Sequence, residues 1–346
     1  RSGFVVADSW HYRHWLQENP GFEAEGHAVL KEWEVTSDRG RSFDPANVRA
    51  QCERLGTSDL FNAVIADRRL IMGLRATYVQ DYRRRFDDRT LFSILGAGIE
   101  AMEALFDTVR PDVVIGFVCT TFLDYLGDTI ARARGIPSLN VRTTRIGNRI
   151  SVATTLTDPS PELRAAFKDA NAHGSPHVAA ACEHISRIRA GDARYEGVIA
   201  LSSKPAEAIT SHRSPVTRAV RFARNLAAYR SGPYAGDNHS PGLLRPLLYQ
   251  TVLNPLRARR AEALLSPGYV TPDSLRGQRF AFLPLHTEPE VSQLVYARPL
   301  VNQIELARMI AYSLPADMVL VLKEHPWMVG KRSLGVFSGD SASGDR

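Results

Sequence analysis

The chain has 346 residues, 44% of them hydrophobic and 23% charged, with a formal net charge of +6. That length fits two ordinary domains with buried cores, and since no apolar run approaches the ~20 residues of a membrane-spanning helix, none is expected to cross a bilayer. Cys52, Cys119 and Cys182 stand far apart without a paired spacing, which argues against a disulfide framework and a structural zinc site and fits a reducing cytoplasm.

The sequence starts at Arg1, with no methionine, and enters a candidate strand, Phe4 to Ala7, almost at once; the expectation is that a preceding piece is missing, with any targeting segment. Further on, Leu91, Ile94, Leu95, Ile99, Met102, Leu105 and Phe106 recur at helical spacing and predict a helix over Thr90 to Val109. Pro111 then admits a buried strand, Asp112 to Val118, followed by Cys119-Thr120-Thr121, a helix from Phe122 to Arg134, a stop at Gly135 and a strand from Ser138 to Arg142. Residues 111–142 thus read as a β-α-β unit. Asp124 lies just beyond its first strand, in the first turn of the helix, where an acid is favoured by the helix dipole. Arg142 and Arg145, at the end of the next strand, can meet a phosphate or an acidic sugar, or serve only the surface.

Residues 160–265 read as mostly helical between Pro and Gly breaks, with Ser231 to Pro241 as a loop. From Arg213 to Arg260 there are nine arginines, no lysine and a single acid, Asp237, interspersed with leucines. Arginine beside apolar residues suits an anionic membrane surface or a phosphorylated lipid glycan, and a solvated helical hairpin is the plainer alternative. No nucleic-acid-binding signature accompanies the charge, so no nucleic-acid partner is expected. The Pro- and Gly-bearing stretch from Ser266 to Gly277 is the domain boundary.

Beyond it, Phe280 to Leu285 and Met318 to Leu322 have strand length and apolarity, and between them Leu300, Ile304, Ala307, Ala311 and Leu314 share a helical face. Strands joined through a helix run parallel, so the loops holding His286, Glu288, Glu290 and Lys323, Glu324, His325 leave the sheet at the same carboxyl edge. Open α/β sheets bind their ligands there.

The ordered string Pro-Leu-His-x-Glu-Pro-Glu, Asn-Gln-x-Glu-Leu, Lys-Glu-His-Pro-x-Met-x-Gly-Lys-Arg resembles the capsule polysaccharide biosynthesis and export family, over roughly 50 residues, with a looser likeness reaching back to about residue 110. The resemblance implies an α/β protein of GT-B-like architecture, with two Rossmann-like domains and parallel sheets, the second incomplete. Its divisions are 1–266, an acceptor-side domain with an arginine-rich helical insertion at about 160–265; 267–277, a linker; 278–332, the start of a nucleotide-sugar-binding domain; and 333–346, a disordered tail. The family calls for further strands and helices after Arg332, so the chain is expected to be cut short there.

The resemblance implies a glycosyltransferase, with Kdo from a CMP-sugar as one donor, acting on a lipid-linked or glycan acceptor. The donor is a substrate, and no cofactor or metal is expected. His325, as the matching histidine, is expected on the donor phosphate, with Lys323 and His286 beside it. Lys323 can equally pair with Glu324, and His286 can be structural. Glu288 and Glu290, held by Pro289, can orient hydroxyls, and Asp124 and Glu290 are the candidate catalytic carboxylates. A peripheral position on the inner face of the plasma membrane follows from the arginines. Two other readings remain open: a non-catalytic export or assembly factor, and a nucleotide-sugar epimerase.

Overall fold

A computed structural model describes residues 2–38, 40–58, 60–71, 86–118, 120–144, 146, 149–156, 160–191, 216, 220, 223, 248, 252–288 and 290–332. The expected loop at Ser231 to Pro241, most of the arginine-rich stretch, Cys119, Arg145 and the tail from Ser333 lie outside the described residues.

The architecture is mixed α/β. Strands β1 (Gly3–Val6) and β2 (Ala28–Lys31) flank helix α1 (Ser9–Glu18) and pair in parallel. Four short helices follow, α2 (Glu32–Val35), α3 (Pro45–Arg54), α4 (Asn62–Ala66) and α5 (Arg68–Ile71), then the long α6 (Asp88–Val109). The unit expected at 111–142 is present as β3 (Val114–Phe117), α7 (Phe122–Ala133) and β4 (Ser138–Thr143), with β3 and β4 parallel from Val114 opposite Ser138 to Phe117 opposite Val141, but β3 is not the buried strand expected, since Ile115 and Phe117 on one of its faces are exposed. Its sheet is not wholly parallel, because β5 (Ile150–Ala153) adds to β4 in antiparallel sense. Four residues joined to β4 by a short connection carry too little periodicity to announce such a strand. Helices α8 (Pro161–His173), α9 (Val178–Arg189) and α10 (Asn254–Leu265) come next. The last unit is β6 (Arg279–Pro284), a π-helical turn at Ser292–Tyr296, α11 (Gln303–Ser313) and β7 (Met318–Lys323), with β6 and β7 parallel over six residue pairs. Among the described residues no helix is long and apolar enough to cross a membrane.

The core forms where the apolar stripe of α6 meets α7. Leu91, Ile94, Leu95, Ile99, Met102 and Phe106 recur every three or four residues and are each 4% exposed or less, as are Phe122, Leu123, Leu126 and Ile130 opposite them. Each such burial contributes roughly 1.5–3 kcal/mol relative to exposure. Helix α6 is started by Asp87, whose side chain accepts from the Thr90 amide at 2.8 Å, and ends at Arg110 in the left-handed region, φ 52°. Strand β4 turns a polar face to the core, with Ser138 and Asn140 both buried. They stay because the buried carboxylate of Asp128 on α7 accepts from the Ser138 hydroxyl at 2.6 Å, from the Asn140 amide at 3.2 Å and from Arg132 Nε at 2.8 Å.

The two core helices pack tightly at Gly98, where a Cβ atom would stand 2.4 Å from Phe122 Cζ and 2.9 Å from Leu126 Cδ1. Neither neighbour is a flexible surface group, since both are fully buried. Gly98→Val is therefore expected to lower stability by about 3 kcal/mol through overpacking, read as a drop in urea midpoint at unchanged slope.

Candidate functional site

The carboxyl edge of the first sheets is where a Rossmann-like domain would hold a ligand, and the chain fills it with its own side chains. Glu32 follows β2 directly, Asp67 joins α4 to α5, and both carboxylates are buried, 0% and 1% exposed. They cap α7, which lacks a side-chain cap from its own N-cap residue, Thr121. The Phe122 amide donates to Asp67 Oδ2 at 3.0 Å and the Leu123 amide to Glu32 Oε2 at 2.9 Å. Arg69 completes the cluster by donating to both carboxylates and, at 3.0 Å, to the Ala7 carbonyl at the end of β1. One guanidinium thus ties together β1, β2, α5 and α7. Two carboxylates share that single cation in a dry place. Burial, chiefly, pushes Glu32 up to about 7, with the Asp67 charge adding to the rise against the pull of Arg69. Asp67 is held below the ordinary carboxylate range, because Arg69 and two backbone amides outweigh its burial. Nothing in the local sequence announces the two carboxylates; the amides they cap are 55 and 91 positions away.

At the end of the second parallel pair the arrangement is different. The loop after β6 is folded back by Gln303, at the start of α11, which accepts from the His286 amide at 2.6 Å and donates to the His286 carbonyl at 3.1 Å and to Glu288. Asn302 caps the same helix, accepting from the Ile304 and Glu305 amides at 3.2 and 3.3 Å. The loop after β7 is held by Arg332, whose side chain is 2% exposed. Its Nε donates to Glu324 Oε2 at 2.6 Å, its Nη2 to the His286 carbonyl at 2.6 Å, and its Nη1 stands 2.7 Å from Glu288 Oε1. The last contact has the distance of an ion pair without hydrogen-bond alignment, so its hold is electrostatic. A further link joins the loops where Thr287 Oγ1 and His325 Nδ1 lie 3.1 Å apart.

On this frame the expected residues divide into two groups. Glu288 is buried against Arg332 and Gln303, and Glu324 pairs with Arg332 and accepts from the His325 amide at 2.8 Å. These two carboxylates brace the loops. His286 and Lys323 are exposed, while Glu290 and His325 are partly exposed and lie near enough for the Glu290 charge to bear on the imidazole. Burial holds His325 below the usual histidine value; Glu290 and Glu324 oppose that shift, and His286 and Arg332 add to it. The ring is therefore neutral at pH 7, a hydrogen-bonding group rather than a charge.

The other expected residues lie further off. Asp124 is on the first turn of α7 and leans back over β3, close enough that a Cβ on Gly116 would come within 2.7 Å of its Oδ1. Arg142 donates to the Thr155 carbonyl at 2.7 Å, and its guanidinium lies over the Tyr296 ring, 5.3 Å from the centroid. That stacking, with the packing of α4 on the π-helical turn, joins the first unit to the last. Among the described residues no group of three or more His, Cys, Asp or Glu is arranged to hold a metal ion. The residues the motif reading left without a role, Gln303 and Arg332, both stand inside the family-like string; what it lacked was which acid each would meet.

No protein-family model, no curated protein and no solved structure matches the chain.

The two clusters predict different behaviour. Because the folded value of Glu32, about 7, lies above its ordinary 4.5, the stability it contributes is fully present below pH 4.5 and is lost as pH rises through 7. Urea titrations should show a decline on the order of 3 kcal/mol across that window, and Glu32→Gln should flatten it. Arg332→Leu leaves Glu288 buried without its cation and should cost about 3–5 kcal/mol, seen as a lowered midpoint in denaturant.

Proposed function

We propose that the chain is a glycosyltransferase-like protein of the GT-B type acting in surface polysaccharide assembly, with the β6–α11–β7 unit holding the phosphate of a nucleotide-sugar donor. One observation carries the reading: His286, Glu290, Lys323 and His325 stand together at the carboxyl edge of a parallel strand pair, on loops braced by Arg332 and Gln303. Braced loops hold polar groups in place before a ligand arrives, which is what recognition of a phosphate leaving group requires. Lys323 supplies charge, and neutral His325 supplies a hydrogen bond. Glu290, beside His325, is the carboxylate that can orient sugar hydroxyls. Glu288 is withdrawn from that role by its burial against Arg332.

The acceptor is read as a glycan or lipid-linked glycan. With Glu32, Asp67 and Arg69 filling the carboxyl edge of the first sheet, an acceptor base has to come from beside that plug, and Asp124 is the carboxylate in that position. Arg142, already stacked on Tyr296, stands between Asp124's unit and the donor loops and is the candidate contact for an acidic sugar.

The test is calorimetric titration with CMP and UDP. His325→Ala should weaken binding by about 1.5–3 kcal/mol, the range for a hydrogen bond to a charged group. In the unaltered protein, affinity for the nucleotide should rise as pH falls below the ordinary histidine value of 6.5, since protonation of His325 comes late and adds a charge facing the phosphate. Equal affinity in His325→Ala and the unaltered protein, with melting unchanged, would remove the phosphate role.

A further inference from the structure

Helix α10 has two faces of opposite character. Its inner face is fixed to the turn that ends the donor unit: Ala261 is buried, Arg257 donates to the Arg332 carbonyl at 2.8 Å, and Gly330, at φ +76°, lies so close that a Cβ there would stand 2.6 Å from the Ala258 backbone nitrogen. That contact explains the glycine twice over, by its left-handed backbone and by the space it leaves. Arg332 is in turn the residue that grips Glu288, Glu324 and the His286 carbonyl. The helix is thus attached to the piece of chain that sets both site loops.

Val252 and Leu253, in the π-helical turn just before the helix, are apolar surface; the outer face of α10 itself is built from Leu256, Arg259, Arg260, Ala263 and Leu264. At 100° per residue these fall within one stripe about 140° wide. All are exposed, with Val252 at 45%, Leu253 at 42%, Leu256 at 56% and Leu264 at 51%. No acid lies in the stripe; Glu262 falls outside it. The sequence just before, from Arg213 to Leu253, adds six arginines against the single acid Asp237.

A stripe of large aliphatic groups flanked by arginines is costly in water and fits poorly into a protein core, which would have to bury guanidinium groups. A lipid surface satisfies both demands. Leucines enter the acyl boundary, and arginines extend their heads to lipid phosphates while their stems cover apolar surface. We propose that α10 docks the protein on an anionic lipid bilayer, and that its opposite face, through Gly330 and Arg332, holds the β6 and β7 loops beside that surface. The identity of those loops as a donor site rests on the function proposed above; the docking itself does not.

The experiment is partition of the full chain onto phosphatidylcholine vesicles with and without phosphatidylglycerol, in the absence of nucleotide. Binding is expected on the anionic vesicles and is expected to fall with added salt. Each exposed arginine near such a surface contributes about fivefold, so Arg259→Ala with Arg260→Ala should lower partition roughly 30-fold, with circular dichroism unchanged. Leu256→Gln should lower it as well. Absent partition, equal partition on neutral vesicles, or partition indifferent to both variants overturns the docking. So does retention on duplex DNA by a protein that ignores vesicles, which would assign the stripe to nucleic acid. For the coupling, hydrogen exchange over residues 323–332 should slow on vesicles and lose that response in Arg257→Ala; an unresponsive segment overturns it. Since partition is read without nucleotide and His325→Ala is read by calorimetry without vesicles, failure of either leaves the other result standing.

Discussion

A carboxylate taken out of water must find a cation or an amide, and this chain meets that demand twice with the same device: one arginine gathering two carboxylates from separate elements. Arg69 collects Glu32 and Asp67; Arg332 collects Glu288 and Glu324. In each place the arginine also donates to a backbone carbonyl, Ala7 or His286. Buried ion pairs of this kind add little net stability over a packed apolar alternative, yet are severe to break from one side. Their contribution here is geometric. Each fixes how the chain leaves a parallel strand pair, which is where open α/β folds place function.

The two uses differ in what they leave exposed. Around Arg69 the carboxylates are spent on the first amides of α7, so the positive end of that helix is satisfied from within. Around Arg332 the carboxylates turn inward, and the residues interleaved with them, His286, Glu290, Lys323 and His325, remain at the rim. Alternation within the two loops produces this: Glu288 goes in while His286 and Glu290 stay nearer the surface, and Glu324 goes in while Lys323 stays out.

Much of this frame is legible in the sequence. The stripe from Leu91 to Phe106 carries a helical period, the apolar runs around Val114, Phe280 and Met318 have strand length, and their elements fall within a few residues of where these patterns put them. The parallel sense of β6 and β7 follows from the helix between them, which is why the sequence alone gathers the rim residues onto one edge. What local pattern does not carry is pairing. β5, α4 and α5 are each four or five residues long, too short for a period to show. Glu288 reads as a ligand-facing acid until Arg332 is seen beside it, and Glu32 reads as an ordinary surface acid until Leu123 and Arg69 are. A buried charge is recognisable only from its partner, and these partners are distant in sequence.

The charge balance of the two sites also separates their capacities. Around Arg332, two carboxylates against one guanidinium leave an excess of negative charge beside the start of α11, where Gln303 donates to Glu288. Lys323 stands at the exposed rim, and burial holds His325 below the usual histidine value. On the proposed function, a phosphate at this edge would meet one lysine and the imidazoles of His286 and His325, not a preformed positive pocket. Such a site binds an anion modestly and in a salt-dependent way by itself. It gains if the protein is held where acceptor and donor are concentrated, because a tethered encounter replaces a free one. The docking proposed for α10, which is tied to the Arg332 carbonyl through Arg257, would supply that condition, joining the weak electrostatics of the rim to the exposed leucines and arginines of the helix in one arrangement.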